Sequence, residues 1–551
     1  MTLSRRQLLG LVAGLPLGVG CVRRTPPPAF EVAPDRRSAR RTLESLSDDY
    51  EALMKRHAEA RYRASGRLAA EDLAVLETQE LELLSRAERL LEYHEALLPP
   101  PLTRSWQLGV LGLRLMRDAE TLALERDLEQ AQNSTVEVAG KAFLHPQLEA
   151  SLRSRSPEER DAAAAGLEVL QRRCAPIARQ LLLRRRARAR ELGEDYYEAA
   201  LRVRRVSIPR LEELARAFVR GSDSEARITA GALRRVMRTG AGRKRGHHAV
   251  HDAEFALERV AMLHDAWFPR GRGGELVAGV AEELGLAENA AALLAAETIS
   301  GVHCPEEPAS LPVVIPDDVR PLLTPARGLD HWRGLLRELG RVVQLTHLAE
   351  SEPILKGYPF VPGFADPAFD QGFAQIFTTL LGYPELLGRL GRVPPRLCSR
   401  AVASQRTRQL LELRRSVAWM TFERRAHANP GQDLDRLAAR AFARLTGLNQ
   451  PVSWATDVRL IGCVGAEPAA FLAKLFAYDV HDWLRGPGDS DAAPGLSAQS
   501  ARQLLGSLLA SGVSRSLDEK LLAARGSRLS ARPALLQLTR HRRRPSLVLT
   551  L

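Results

Sequence analysis

Apolar residues recur every three to four positions along most of this chain, and that spacing limits what it can fold into more than any other feature. Such a pattern makes one stripe of each helix apolar and forces it to pack against another helix. The periodicity predicts long helices over 38–65 and 69–98, the second carrying Leu73, Leu76, Leu81, Leu84, Leu90 and Leu91, with Pro99-Pro100-Pro101 ending it. Further helices follow over 103–132 and 157–192. Ser156 caps the latter, with Glu159 three residues on. Strand signals are rare, the best being Leu311–Ile315 and Val319–Leu323. With 551 residues and 45% hydrophobic content the chain can bury a large core, so the reading is a mostly α fold in two lobes. A loop over 486–496, rich in Gly, Pro and Asp, precedes closing helices over 497–509, with Ser497 as N-cap, and 517–524. The tail from Arg540 is basic, and no tandem repeat appears.

Within that pattern, Arg337-Glu338-Leu339-Gly340-Arg341 lies on a helix whose Leu335, Leu336, Leu339, Val342 and Val343 form an apolar stripe, while Arg337, Arg341 and Gln344 share the opposite face. Taken alone, this is a solvated charge face with an i,i+3 pair between Glu338 and Arg341. A helix with His at i and i+4 and Glu between them holds zinc, with the Glu as general base. Here both His positions are Arg. A guanidinium stays protonated and has no lone pair to offer a metal.

The surroundings give those five residues more meaning. Gly328-Leu329-Asp330 precedes them, and Asp366-Pro367-Ala368-Phe369-Asp370-Gln371 follows, then Phe373, Ile376, Phe377 and Gly382-Tyr383-Pro384-Glu385-Leu386-Leu387. Farther on stand Phe422-Glu423-Arg424, Asn429-Pro430-Gly431-Gln432-Asp433-Leu434-Asp435 and Trp454-Ala455, and upstream Ala189–Glu198 with its Tyr196-Tyr197 pair. This order resembles the gluzincin zinc metallopeptidases, the angiotensin-converting-enzyme-like and thimet-oligopeptidase-like families. The resemblance is densest over 320–485 and weaker over 155–320.

It implies a two-lobed zincin-like helical fold with a deep cleft and a small sheet at its edge: an N-terminal helical lobe and lid over 37–325, a zincin-like core over 326–485, and C-terminal helices over 497–551. It also implies that Arg337, Arg341 and Gln371 stand where the family has its three zinc ligands. Arg459, Ala466 and Ala469 stand where it has the His and Tyr residues that stabilise an oxyanion. Glu338 keeps the general-base position. A carboxylate without a metal-bound water has no activated nucleophile to deprotonate. The reading is therefore a pseudopeptidase without cofactor, which binds a peptide or protein partner in a retained cleft. Arg337, Arg341, Gln344 and Arg459 are the candidate ligand-binding residues. The two arginines either pair internally with Glu338 or bind a ligand carboxylate. The alternative is an active zinc peptidase with displaced ligands, in which Glu338 converges with His331, His347 or a cluster at 247–251. In that cluster His247 and His251, and His248 and Asp252, are spaced i,i+4, with Glu254 nearby. The bland reading of the same residues is a basic loop leading into a helix N-terminus. His347 and Glu350 form a similarly bare pair.

Location is read at the other end. Ser4-Arg5-Arg6-Gln7-Leu8-Leu9 resembles a twin-arginine export motif, the apolar stretch Leu8–Val19 is short for a bilayer span, and Gly18 and Gly20 precede Cys21 as in a lipoprotein cleavage box. The expectation is an export signal over 1–20, acylation of Cys21, and a Pro-rich tether over 21–36 that anchors the protein to a membrane facing the periplasm or outer surface. A signal cut elsewhere, or kept as an anchor, is the competing reading. The formal charge of +13 comes from arginines interspersed with acids, without a nucleic-acid motif, so no nucleic-acid partner is expected. Cys174, Cys304, Cys398 and Cys463 are widely spaced. Disulfides and buried thiols both remain open.

Overall fold

Side chains at the helix ends set where each helix begins, and in several places they move the boundaries that periodicity suggested. A computed structural model describes residues 36–539, apart from 64–69, 241–248, 263–264, 299–309, 324–325, 450–451, 462, 487–494 and 496. The export motif, Cys21, His247, His248, Cys304 and the basic tail lie outside the described residues. The chain opens with α1 (Arg36–Arg63) and α2 (Ala70–His94), packed together through buried Leu43, Leu46, Leu53 and Leu84. The proline run acts twice: α2 has ended by it, and Pro100 then starts α3 (Pro100–Met116), because a first-turn proline loses no hydrogen bond. The expected 103–132 helix is two. Asp118 interrupts it as an N-cap, accepting the Thr121 amide at 3.1 Å, and starts α4 (Ala119–Gln132).

A hairpin absent from the sequence reading follows, β1 (Val136–Val138) and β2 (Lys141–Phe143), turned through Ala139 and Gly140, both at positive φ. Next come α5 (His145–Ser151) and the long α6 (Pro157–Glu191), which starts as expected on the Ser156 hydroxyl. Then come α7 (Tyr196–Val203), α8 (Ile208–Gly240), α9 (Asp252–Met262), α10 (Arg270–Leu284) and α11 (Ala287–Leu294). Two short sheets lie before the next helix. β3 (Glu297–Thr298) pairs in parallel with β6 (Leu322–Leu323), and β4 (Leu311–Val314) pairs antiparallel with β5 (Asp318–Arg320).

The centre of the molecule is α12 (Gly328–Thr346) against α13 (Pro367–Thr379). After α14 (Pro384–Arg389) come α15 (Pro395–Ala428), α16 (Leu434–Thr446) and α17 (Ala466–Arg485), and then α18 (Ala498–Leu508), α19 (Leu517–Arg525) and α20 (Arg532–Leu538). Helix α13 lies between α12 and α17 at very short range. A Cβ on Gly340 of α12 would come within 2.9 Å of the Ala374 Cα, and one on Gly372 within 3.2 Å of the Ala473 Cα. Glycine is needed there for close approach, which sets the spacing of the three axes.

The apolar stripe read on α12 is the buried one: Leu335, Leu336, Leu339, Val342 and Val343 are all enclosed. The main core runs from Leu43 to Leu538 and a smaller one joins α8, α9 and α15, and the element order is mostly helical, as expected. Cys174, Cys398 and Cys463 are free thiols, the first two buried. Among the described residues no helix is long and apolar enough to cross a membrane.

Candidate functional site

The α12 face that carries Arg337 and Glu338 borders a cavity of about 360 Å³, walled by α12, α13, α15, α17 and β6. Glu338 is not part of a solvated charge face; it is 1% exposed. Its Oε2 accepts the Ser310 amide at 3.1 Å and the Ser310 hydroxyl at 2.8 Å, and its Oε1 accepts from Arg337 Nε at 3.1 Å. These partners compensate the burial of a carboxylate. The i,i+3 pair with Arg341 does not form. Arg337 keeps 47% of its side chain exposed, and its two Nη groups have no protein partner among the described residues.

Arg341 lies one turn deeper, half-buried, beside Glu338 and Asp370 but with no ion pair among the described residues. Desolvation lowers its pKa, partly offset by those two carboxylates. Gln371 is half-buried on α13, one turn before Gln375, which borders the cavity while Gln371 and Arg341 do not. Arg341 thus feels Asp370 of α13 and Arg337 of its own helix, Gln371 stands next to Asp370 in sequence, and the cavity opens on Arg337 alone of the three. Two guanidinium groups and one amide are no donor set for a divalent cation, so the residues present do not fit zinc at these positions.

The remaining candidates lie elsewhere. Gln344 is buried in the α12–α13 seam and donates to Asp370 Oδ1 at 2.6 Å, so it does not face the cavity. Arg459 binds Asp457 and Glu467 and stacks on Trp419, 3.9 Å above the ring centroid. Its pKa is raised, the two acids outweighing burial, and it too is away from the cavity. His331 lines the cavity, its pKa lowered by burial and by Arg270, so it is neutral at pH 7. His347 is bonded within the last turn of α12. His251, Asp252 and Glu254 each face a different partner: Asp161, Arg160 and Arg415. Among the described residues no group of three or more His, Cys, Asp or Glu side chains is placed to hold a metal ion.

Sequence reasoning missed the far wall. Arg333, Arg408 and Lys474 gather around Glu412, with contacts to its carboxylate at 3.9, 2.8 and 3.0 Å. Burial would raise the Glu412 pKa, and the three cations instead hold it well below the usual carboxylate range. Asp330 takes Arg408 at 3.1 Å and Arg333 at 3.5 Å. Only the i,i+4 spacing of Arg408 and Glu412 hinted at this, because the cluster assembles from three helices.

Two further buried clusters lie outside the cavity lining. Asp366 caps α13 and, with Asp370, faces Lys520, whose Nζ lies 3.2 Å above the Phe369 ring. Burial lowers Lys520 to about 8; burial and Asp366 raise Asp370 to about 7. On α15, His427 stacks on Tyr196 at 5.0 Å and 15°, one turn from Glu423, whose pKa burial pushes up to about 8 against the pull of Arg459, the Gly465 amide, Arg204 and Arg185. The i,i+4 spacing of Glu423 and His427 was the available signal.

No protein-family model matches this chain, and no curated protein matches it. Among solved structures it is similar to Trypanosoma cruzi metallocarboxypeptidase 1, with a TM-score of 0.55 at 13% identity, over 92% of this chain and 99% of that one. At that identity the likeness is one of fold: the chain has a metallopeptidase-like, mostly helical fold across nearly its whole length.

Proposed function

We propose that the protein is a non-catalytic member of the zinc-peptidase lineage, of gluzincin type, that works as a receptor for a peptide end or a partner-protein segment bearing a carboxylate. The observation that carries this reading is the pairing of Arg337 with a cavity. A cation stands on the zincin-like helix where a ligand would be, half-exposed, with unused Nη donors, and it lines a space of about 360 Å³. Arginine forks suit carboxylates, and a cavity of mixed charged and apolar lining gives the ligand somewhere to sit. The proposal includes two lobes, over 37–325 and 326–485, meeting at this cleft. It also includes export by the twin-arginine route and acylation of Cys21, which would hold the receptor at a membrane surface facing the periplasm or outside.

The second reading, an active peptidase with displaced ligands, draws on one observation: Glu338 and His331 border the same cavity. One set of measurements separates the two. Purified protein is assayed for bound metal and for peptide hydrolysis with and without chelator, and the same peptides are titrated calorimetrically. The receptor reading expects saturable binding without turnover. Stoichiometric zinc with turnover lost in Glu338→Gln would overturn it.

A further inference from the structure

The cavity walls also say which peptide end they suit, an inference that rests on the receptor reading above. Four cationic side chains, Arg333, Arg337, Arg408 and Lys474, border the space against two carboxylates, Asp330 and Glu338. With Glu412 behind the wall, the cations still outnumber the acids by one. Glu338 is taken up by Ser310 and Arg337, and Glu412 by Lys474 and Arg408. Arg333 is the loosely held member: its contacts to Asp330 and Glu412, at 3.5 and 3.9 Å, are longer than a good hydrogen bond. Asp330 takes Arg408 at 3.1 and 3.3 Å, so among the charged groups of this wall the donors left without a close partner are on Arg333 and on the Nη groups of Arg337. The two residues are spaced i,i+4 on one face of α12, so their Cβ atoms lie roughly 5–6 Å apart. Arginine stems on neighbouring turns are long enough to bring two guanidinium groups to the two carboxyl groups of one C-terminal Asp or Glu residue.

We infer that the pocket selects peptides ending in an acidic residue, with the terminal carboxylate on Arg337 and the side-chain carboxylate on Arg333. A carboxylate only accepts hydrogen bonds and matches a donor wall. A Gln or Asn amide offers a single, uncharged acceptor oxygen where a carboxylate offers two charged ones, and a basic side chain would add a fifth cation.

Three acetylated peptides test this on the full mature chain by calorimetry: identical except for C-terminal Glu, C-terminal Gln, and Gln with an amidated end. The Glu peptide is expected to bind about tenfold or more tighter than the Gln peptide, and the amidated one weakest. Arg333→Gln is expected to bring Glu and Gln peptides within about twofold of each other, with the Gln peptide little changed. Equal binding of the Glu and Gln peptides to the unaltered protein overturns the selectivity and leaves the receptor reading standing. So does an undiminished preference in Arg333→Gln. If none of the three binds, the receptor reading falls and this inference with it. Because each result is a ratio between peptides on one protein sample, a partial loss of folded Arg333→Gln does not mimic the expected outcome.

Discussion

A buried ionisable group without a firm partner leaves a mark on stability that its pH dependence exposes, and Glu423 is the case here. Its carboxyl is enclosed, and its pKa stands at about 8 against an ordinary 4.5. A carboxyl raised on folding favours the folded state most where both states are protonated, below pH 4.5. Its contribution is lost progressively up to about pH 8, where the folded carboxyl also ionises. Glu423→Gln removes this penalty. Thermal melts of the variant are expected to match the parent near pH 4.5 and to exceed it by roughly 1–3 kcal/mol at pH 7. A gain independent of pH would point to packing instead. Glu338 carries the opposite expectation. Its three hydrogen bonds make Glu338→Ala strand the Ser310 hydroxyl and amide, at a cost of roughly 1–3 kcal/mol seen in urea unfolding.

At the level of helices, the α12–α13–α17 seam is the most constrained part of the fold. Gly340→Ala would set a methyl group against the Ala374 backbone and the Phe377 ring, so the helices must separate. A destabilisation of about 1–3 kcal/mol is expected in denaturant unfolding, with weakened peptide binding because the cavity walls move with α12. Gly334, on the same helix with nothing within 4 Å, borders the cavity and is the control for stability alone: alanine there should leave denaturant unfolding unchanged. The sequence carried the α12 stripe and the Ser156 and Ser497 caps plainly, since each depends on residues within a turn of one another. It could not show that Pro99–Pro101 would start a helix as well as follow one, or that Asp118 would split another. Those outcomes depend on whether the following residues find a core to pack on. The strand candidates Leu311–Ile315 and Val319–Leu323 fall on β4, β5 and β6, whereas β1, β2 and β3, of two or three residues each, carry too little alternation to stand out.

Across the whole molecule, distant segments complete the structure. The closing helix α20 buries Pro533, Ala534 and Leu538, and its Gln537 donates to Tyr383 Oη at 2.7 Å, beside His481 stacked on that ring. Deleting residues from Arg532 onward is expected to lower the melting temperature and speed proteolysis of the body, because a buried tyrosine hydroxyl and an apolar face of the core would be uncovered. The site shows the same dependence. The replaced ligand positions were legible because they fall in two short segments of sequence. The Glu412 cluster was not, since Arg333, Arg408 and Lys474 meet only once α12, α15 and α17 have packed. The Ser310 partnership with Glu338 spans 28 positions and depends on how β4 runs past α12.

The glycine contacts at 340 and 372 have one more consequence. Where backbone meets backbone at these two glycines, α12, α13 and α17 have little room to shift against one another, so three walls of the hollow keep their spacing. Any shift in what the protein recognises must come from swapping residues that look into the hollow, such as those at 333, 375 and 408, on a frame that stays as it is.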